Sequence, residues 1–145
     1  MKRVLHILII AAMAMAMTGC NKKDCNGDLD GMWQLTEWRD KDNVVKATKE
    51  DMIFYSFQLQ MATFRKISSE GNFTGLNSLL EVSPNQIRIY DPALYGGNGH
   101  DELKPMAELS VFGVPEDGIF QVQVLTGSAM QLKTNSQEVL TFRKY

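Results

Sequence analysis

The chain has 145 residues and a formal net charge of −2, but its first 19 residues have the composition of a removable targeting segment. Without them 126 residues remain, with 13 Lys and Arg against 17 Asp and Glu and a net charge of −4. This size predicts one domain with its own core and excludes two-domain enzymes, and the mild acidity without a basic run argues against nucleic-acid binding.

The N-terminus has the three parts of a bacterial lipoprotein signal. Lys2 and Arg3 precede an apolar run, Val4 to Met17, that only His6 interrupts, and Thr18-Gly19 then precedes Cys20. Fourteen residues fall short of the roughly twenty that a membrane-spanning helix needs. The pattern therefore predicts a signal peptide over residues 1–19, cleavage before Cys20, and acylation of Cys20 with fatty acids such as palmitate. Several acyl chains on one residue would anchor the protein stably to a membrane.

Residues 20–30 are predicted to be a lipidated, flexible tether, because Asn21 to Asp30 is polar and contains glycine. Lys22-Lys23-Asp24 resembles a sorting signal for the outer membrane, and a solvated linker explains the same residues. Lipidation of Cys20 would leave Cys25 as a free thiol in the tether, where a catalytic nucleophile would lack a rigid site. The expected location is the outer membrane, with the leaflet undetermined.

From Gly31 onward the chain alternates between apolar and polar residues, as half-buried β-strands do. Met52 to Phe64 is predicted to be one long strand, bent and reaching Ile67, with Ile53, Tyr55, Phe57, Leu59 and Met61 on its inner face. Other inward sets are Phe120, Val122 and Val124, then Met130 and Leu132, then Leu140 and Phe142. Turn-forming clusters separate these stretches, which predicts an all-β sandwich or barrel over residues 31–145.

Two stretches do not alternate. Val44 to Asp51 fits either a strand end or one helical turn. Asp91 to Pro105 contains two prolines and three glycines and is predicted to be a long loop. Long loops in small β domains often carry function, so this loop is a candidate rim of a binding site.

Several segments together resemble the small lipocalin-like lipoproteins of Gram-negative anaerobic bacteria, a largely uncharacterised family. The segments are Asp30-Gly31-Met32-Trp33, Tyr55 to Gln60, Phe112-Gly113-Val114, Phe120 to Leu125, Ser128 to Leu132, and the ending Leu140 to Tyr145. Together, and in this order, the segments span nearly the whole chain after the signal.

The resemblance implies an up-and-down β-barrel of about eight strands that could hold one small apolar ligand. It also implies contact between Trp33 and Arg143, although an inward Leu140 and Phe142 would turn Arg143 outward. The candidate ligand-binding interior consists of Trp33, Leu35, Tyr55, Phe57, Leu59, Met61, Phe120, Val122, Met130, Leu132 and Phe142. Tyr95 and His100 are the candidates for the mouth loop.

No residue pattern predicts catalysis, a metal site or a cofactor. His100, the one histidine after the signal, lacks ligand partners at a recognised spacing, and no Gly-x-Ser-x-Gly elbow is present. Gly96-Gly97-Asn98-Gly99 lacks the Lys-Ser/Thr of a phosphate loop. We therefore expect a non-catalytic protein.

Three readings of the barrel remain open from the sequence. The barrel binds a small hydrophobic or amphipathic molecule, or the same aromatic residues only fill its core. Alternatively, the protein is an interaction module or accessory subunit of an outer-membrane complex. For that last role Trp38 is a candidate exposed contact residue, because the alternation places it on the opposite face of the strand from Trp33. Packing at the barrel rim is the competing interpretation.

Overall fold

The computed structural model describes residues 26–94 and 101–145, and ten β-strands occupy most of these. The strands are β1 (Gly31–Arg39), β2 (Val45–Thr48), β3 (Ile53–Gln58), β4 (Met61–Ile67), β5 (Phe73–Ser83), β6 (Gln86–Leu94), β7 (Glu102–Leu103), β8 (Ile119–Leu125), β9 (Ala129–Thr134) and β10 (Val139–Lys144). The predictions for the signal peptide, Cys20, Cys25, Tyr95 and His100 lie outside the described residues.

Eight of the strands form a closed antiparallel barrel in the order β1, β3, β4, β5, β6, β8, β9, β10. The barrel closes because β10 pairs back with β1, from Trp33 opposite Lys144 to Arg39 opposite Val139. Strands β2 and β7 are short additions to β1 and β6. The predicted all-β, up-and-down barrel of about eight strands is confirmed.

The barrel has two ends of different construction. The first, here called the tether end, carries the hairpin turns at Leu59-Gln60, Pro84-Asn85 and Thr126 to Ser128 together with the N-terminal residues. The other, here called the mouth end, carries the turns at 40–44, 68–72 and 135–138. A 3-10 helix, Met106–Phe112, lies at the mouth end in the connection between β6 and β8.

The N-terminal segment belongs to the domain from Asn26 onward, earlier than the predicted start at residue 31. Gly27–Leu29 forms a 3-10 turn, and the Leu29 side chain is fully buried in the core. Asn26 also binds the barrel, because its Nδ2 donates a hydrogen bond to the Leu59 carbonyl oxygen at 2.8 Å. Residues 26–30, which the sequence assigned to the tether, are therefore bound to the barrel.

The prediction of a single bent strand from Met52 to Ile67 is wrong. The segment is a hairpin, in which β3 and β4 pair from Ile53 opposite Lys66 to Gln58 opposite Met61. Leu59 stands in the turn with a φ of 57°. The turn changes which residues point inward, from Ile53, Tyr55 and Phe57 on β3 to Ala62 and Phe64 on β4.

The predicted loop from Asp91 to Pro105 is also corrected in part. Strand β6 continues through Asp91 and Pro92 to Leu94, and β7 pairs with it through Ala93 and Leu103. Asp91 has a φ of 49°, and the pairing of β5 with β6 shifts register between Asn77 and Leu79, so the strand accommodates its proline at an irregularity. Val44 to Asp51 contains both predicted alternatives, strand β2 followed by a 3-10 turn at Lys49–Asp51.

Strand β8 keeps its predicted alternation only at first. Phe120 is buried and Val122 packs against the core, but the pairing with β9 shifts register between Val122 and Val124. Val124 is consequently exposed, which contradicts its predicted inward position. Among the described residues, no helix has the length and apolar character to cross a membrane.

Candidate ligand-binding site

Aromatic side chains in mutual contact occupy the centre of the barrel. The Tyr55 ring lies with its centroid 4.7 Å from that of Phe64 and 4.7 Å from that of Phe142, and 6.1 Å from that of Phe57. The Tyr55 hydroxyl donates a hydrogen bond to the Phe112 carbonyl oxygen at 2.8 Å, and burial raises the pKa of Tyr55 well above its ordinary value of 10. Tyr55 thus joins the barrel wall to the 3-10 helix at the mouth.

Most of the predicted interior residues are in this core. Trp33, Leu35, Tyr55, Phe57, Phe120, Met130, Leu132 and Phe142 are buried, and Val122 is partly buried against them. Leu59 and Met61 are not interior, since both are about half exposed. The register change at the β3–β4 turn explains both errors. Whether the buried residues contact a ligand stays a prediction.

The implied contact between Trp33 and Arg143 does not form. Arg143 points outward and donates two hydrogen bonds, from Nε and Nη2, to Oε1 of Gln34 at 3.0 and 2.7 Å. The cation over the Trp33 ring is Lys144, whose Nζ lies 4.6 Å from the ring centroid. Trp33 itself donates a hydrogen bond from Nε1 to the Leu29 carbonyl oxygen at 2.8 Å.

Trp38 is not an exposed contact residue. Its side chain is partly buried and packs against the core at the mouth end, where a Cβ on Gly113 would lie 3.4 Å from its ring. Its Nε1 is buried and finds no acceptor among the described residues. Packing at the barrel rim, the competing interpretation, describes its position.

An apolar cleft opens at the mouth end between the start of β5 and the 3-10 helix. Its volume is about 560 Å³, within the range of small-molecule sites. Buried Leu76 and Phe112 reach its floor, so the cleft leads directly to the aromatic core. Its apolar lining is completed by Phe73, Leu94 and Val111, which are exposed.

The charged residues of this cleft are Lys104 and Glu108. Lys104 Nζ lies 2.7 Å from Oε1 of Glu102, and its own side chain is largely covered. This hydrogen bond, reinforced by the charges of Glu102 and Glu108, raises the pKa of Lys104 above its ordinary value. The cleft therefore combines apolar walls with a fixed ammonium group and two carboxylates at its edge, an arrangement suited to an amphipathic molecule.

The sequence did not predict that the residues of this cleft lie together. Leu76 and Leu80 face inward on β5, but buried Ser78 stands between them and interrupts the alternation that would have revealed the strand. The predicted mouth loop does border the cleft at one point, because Leu94 lines it. Tyr95 and His100 cannot be compared with it, since they lie outside the described residues.

The described part of the chain contains no group of three His, Cys, Asp or Glu residues that could hold a metal ion. The strong charge interactions there are surface ion pairs, such as Arg39 with Glu37 at 2.6 Å. That pair lowers the pKa of Glu37 and raises that of Arg39, chiefly through their hydrogen bond.

Two solved structures from Bacteroides are similar to this chain over nearly their whole length. A lipocalin-like protein from Bacteroides uniformis ATCC 8492 is 25% identical with a TM-score of 0.63, and the match covers 82% of this chain and 100% of that one. An uncharacterized protein from Bacteroides eggerthii DSM 20697 is 27% identical with a TM-score of 0.61, covering 81% and 99%.

A protein from Burkholderia xenovorans shares the fold at 16% identity and a TM-score of 0.50, with 81% of this chain and 83% of that one covered. No curated protein matches the chain. The family model described as Lipocalin-like domain matches residues 15–145. The chain therefore belongs to the lipocalin-like family that its sequence segments resemble.

Proposed function

We propose that this protein is an outer-membrane lipoprotein, acylated at Cys20, that binds a small hydrophobic or amphipathic molecule in the mouth cleft. The observation that carries the proposal is the apolar cleft of about 560 Å³, whose floor is the buried aromatic core of a lipocalin-like barrel. The centre of the barrel is filled by side chains in contact, so the ligand would lie above Phe112 and Leu76 rather than among the rings around Tyr55.

The family and the chemistry of the cleft favour a binding role over a catalytic one. Lipocalin-like proteins are in general binding proteins. The cleft offers apolar walls and an ammonium group already paired with a carboxylate, which suit the orientation of a bound molecule better than proton transfer.

The test is a titration of the purified, acylated protein with the fluorescent amphiphile 1-anilinonaphthalene-8-sulfonate. Val111→Asp places a charge in the cleft wall and should weaken binding at least about tenfold, because the carboxylate would be desolvated. Val44→Asp is the matched control, since Val44 is exposed to the same extent, 56% against 54%, and lies outside the cleft. Equal affinity of both variants would refute the cleft as the site.

Native mass spectrometry of the protein purified from its own envelope would then identify a natural ligand. A small molecule that co-purifies with the wild-type protein and is lost from Val111→Asp supports the proposal. Recovery of the same molecule with Val111→Asp would place the ligand elsewhere.

A second candidate is docking to an outer-membrane protein through the same end of the barrel. Phe73 and Leu103 are more than 70% exposed, which exceeds what the wall of a small-molecule site requires. A Phe73→Ser, Leu103→Ser variant should then lose a partner that co-purifies from detergent extracts. Unchanged recovery of that partner would count against docking at this surface.

A further inference from the structure

The tether end of the barrel is almost free of charged side chains. The three segments that form its hairpin turns contain no Asp, Glu, Lys or Arg over residues 52–64, 82–87 and 119–132. The mouth-end turns, in contrast, carry Asp40, Lys41, Asp42, Glu70 and Glu138. The two ends of one barrel thus present different surfaces to their surroundings.

Exposed apolar side chains are distributed over the uncharged tether end. Leu59 lies in the β3–β4 turn, Val82 at the end of β5 and Val124 at the end of β8, with exposed fractions of 50%, 43% and 43%. Met61 and Leu79, opposite each other on β4 and β5, extend this surface up one side of the barrel. Uncharged polar residues such as Gln58, Gln60 and Asn85 stand between them.

Leu59 is an unusual residue for its position. Its φ of 57° belongs to the left-handed region, where asparagine or glycine would be less strained. An exposed leucine there neither fills the core nor favours the turn. A contact outside the barrel would account for an apolar side chain at this place.

The charged groups near the tether end are those of the two chain ends and one ion pair, in which Arg88 Nη1 lies 3.4 Å from Oε2 of Glu81. Asp30 accepts hydrogen bonds from the backbone N–H and the side-chain Nδ2 of Asn26, at 3.1 and 2.7 Å. Lys144 Nζ donates to the Asp28 carbonyl oxygen at 2.8 Å and lies over the Trp33 ring. Asp28 is exposed at the same end.

We propose that the tether end is a membrane-contact surface. In this arrangement the turns around Leu59, Val82 and Val124 lie in the lipid headgroup region. This inference rests on the proposed acylation of Cys20. Apolar side chains on these turns would bury area at the boundary between the headgroups and the acyl chains, which favours binding, and no charged turn residue would have to enter the apolar layer.

The length of the tether decides which end faces the membrane. Six residue steps separate Cys20 from Asn26, which is held on the β3–β4 turn, and they span at most about 20 Å. The nine residues of β1 extend over about 30 Å, which corresponds to a barrel wall about 21–25 Å high because barrel strands tilt by about 35–45°. Even a fully extended tether would only just approach the far end of the barrel, so we expect an acylated Cys20 to hold the tether end near the bilayer with the mouth cleft opening away from it.

The experiment uses the full-length, acylated protein in vesicles of phosphatidylethanolamine and phosphatidylglycerol. Cys25→Ser removes the remaining thiol, and a spin label is attached to Asn85→Cys at the tether end or to Asn135→Cys at the mouth end. We expect the label at residue 85 to be several-fold less accessible to a water-soluble nickel chelate than the label at residue 135. Equal accessibility would overturn the proposal.

A pair of matched substitutions identifies the surface responsible. Val82→Asp with Val124→Asp should abolish the protection at residue 85, whereas Val45→Asp, at 42% exposure on the mouth side, should leave it unchanged. Protection that survives the double substitution would overturn the proposal, and so would protection that disappears when the protein is diluted within the vesicles, which would indicate a second copy. The thermal transition of each variant verifies folding.

Failure of the acylation itself is separately visible. An unmodified Cys20 by mass spectrometry, or protein that does not float with the vesicles, refutes the lipoprotein assignment and this inference with it. Acylated protein that floats with equally accessible labels refutes this inference alone.

Discussion

The two tryptophans of the barrel differ in whether their indole N–H has a hydrogen-bond acceptor. Trp33 donates from Nε1 to the Leu29 carbonyl oxygen, whereas the Nε1 of Trp38 is buried without an acceptor among the described residues. A buried donor is stabilising only when it is paired, and leaving it unpaired costs about 1–3 kcal/mol. The two residues therefore differ in what their N–H contributes.

Replacement by phenylalanine tests this difference. Trp33→Phe should lower the free energy of unfolding by at least about 2 kcal/mol, because it removes the hydrogen bond to the Leu29 carbonyl oxygen and reduces the volume that fills the core. Trp38→Phe should change it by less than about 1 kcal/mol, since loss of the unpaired donor offsets the lost packing. Urea denaturation at pH 7 measures both. Equal losses would contradict the assigned hydrogen bonding.

Tyr55 makes the barrel sensitive to alkali. Its pKa in the folded state is raised by burial, so the folded protein favours the neutral phenol more than the unfolded chain does. The resulting stability is complete below pH 10 and is lost as the pH rises above the unfolded value. The wild-type protein should thus lose stability progressively above about pH 10.

Tyr55→Phe should remove part of that alkaline loss and lower stability at pH 7. The expected cost at pH 7 is about 1–3 kcal/mol, because the buried Phe112 carbonyl loses its donor. Urea denaturation of both proteins between pH 7 and pH 11 provides the comparison. Tyr145→Phe is the control at an exposed position, and a Tyr55→Phe profile that parallels the wild type would refute the role of Tyr55.

At the scale of elements, β6 and β8 are joined over only three residue pairs, Gln86 to Arg88 with Ile119 to Gln121. Two further hydrogen bonds extend this junction, from Ile89 N–H to the Gly118 carbonyl oxygen at 2.8 Å and from Val122 N–H to the Asn85 carbonyl oxygen at 2.9 Å. Gly118 has a φ of 67°, and a Cβ there would lie 1.9 Å from the Ile89 carbonyl oxygen. The junction depends on the absence of a side chain.

Gly118→Ala should therefore lower the free energy of unfolding by more than about 3 kcal/mol. Gly71→Ala is the matched control, since Gly71 also has a positive φ, 81°, but no atom within 4 Å of the added Cβ. The control should cost only about 1 kcal/mol, from backbone strain alone. Thermal denaturation of both variants separates the steric clash from the strain.

The hairpin of β3 and β4 shows what the sequence could predict and what it could not. Alternation correctly placed Tyr55 and Phe57 inside, because burial on one face imposes a period of two. The turn was missed because Leu59-Gln60 lacks the glycine, asparagine or proline that usually marks one. An apolar turn residue looks like one more position of a continuing strand.

The candidate site was predicted less well than the fold, for a related reason. The barrel requires a regular pattern that alternation reveals, whereas the cleft is formed by residues distant in sequence, such as Leu76 on β5 and Phe112 on the 3-10 helix. Their proximity depends on how β6 and β8 separate at the mouth. Only the segment Phe112-Gly113-Val114 was recognised, through its resemblance to the family.

For the whole molecule, closure depends on the pairing of its first and last barrel strands. Strand β10 is hydrogen-bonded to β1 on one side and to β9 on the other. Beyond the strand, Tyr145 N–H donates a hydrogen bond to the Met32 carbonyl oxygen at 2.8 Å. A chain that ends after Glu138 would lack β10 and leave two long strand edges unpaired. Such edges promote association with other chains.

The shortened chain should show no cooperative thermal transition and should aggregate at micromolar concentration. A chain that lacks only Tyr145 is the control and should retain the transition, because all strand pairs of β10 remain. Circular dichroism and light scattering report the two properties. A cooperative transition in the chain without β10 would show that closure is not required for folding.

The pairing of β1 with β10 also sets when this protein can fold during its production. A ribosome makes β1 first of the eight barrel strands and β10 last, so no chain that still lacks β10 can close the barrel. The long sequence separation of the two strands further delays closure, because a large loop must be ordered first. Until β10 has been made, the polypeptide cannot reach its closed native state on the ribosome.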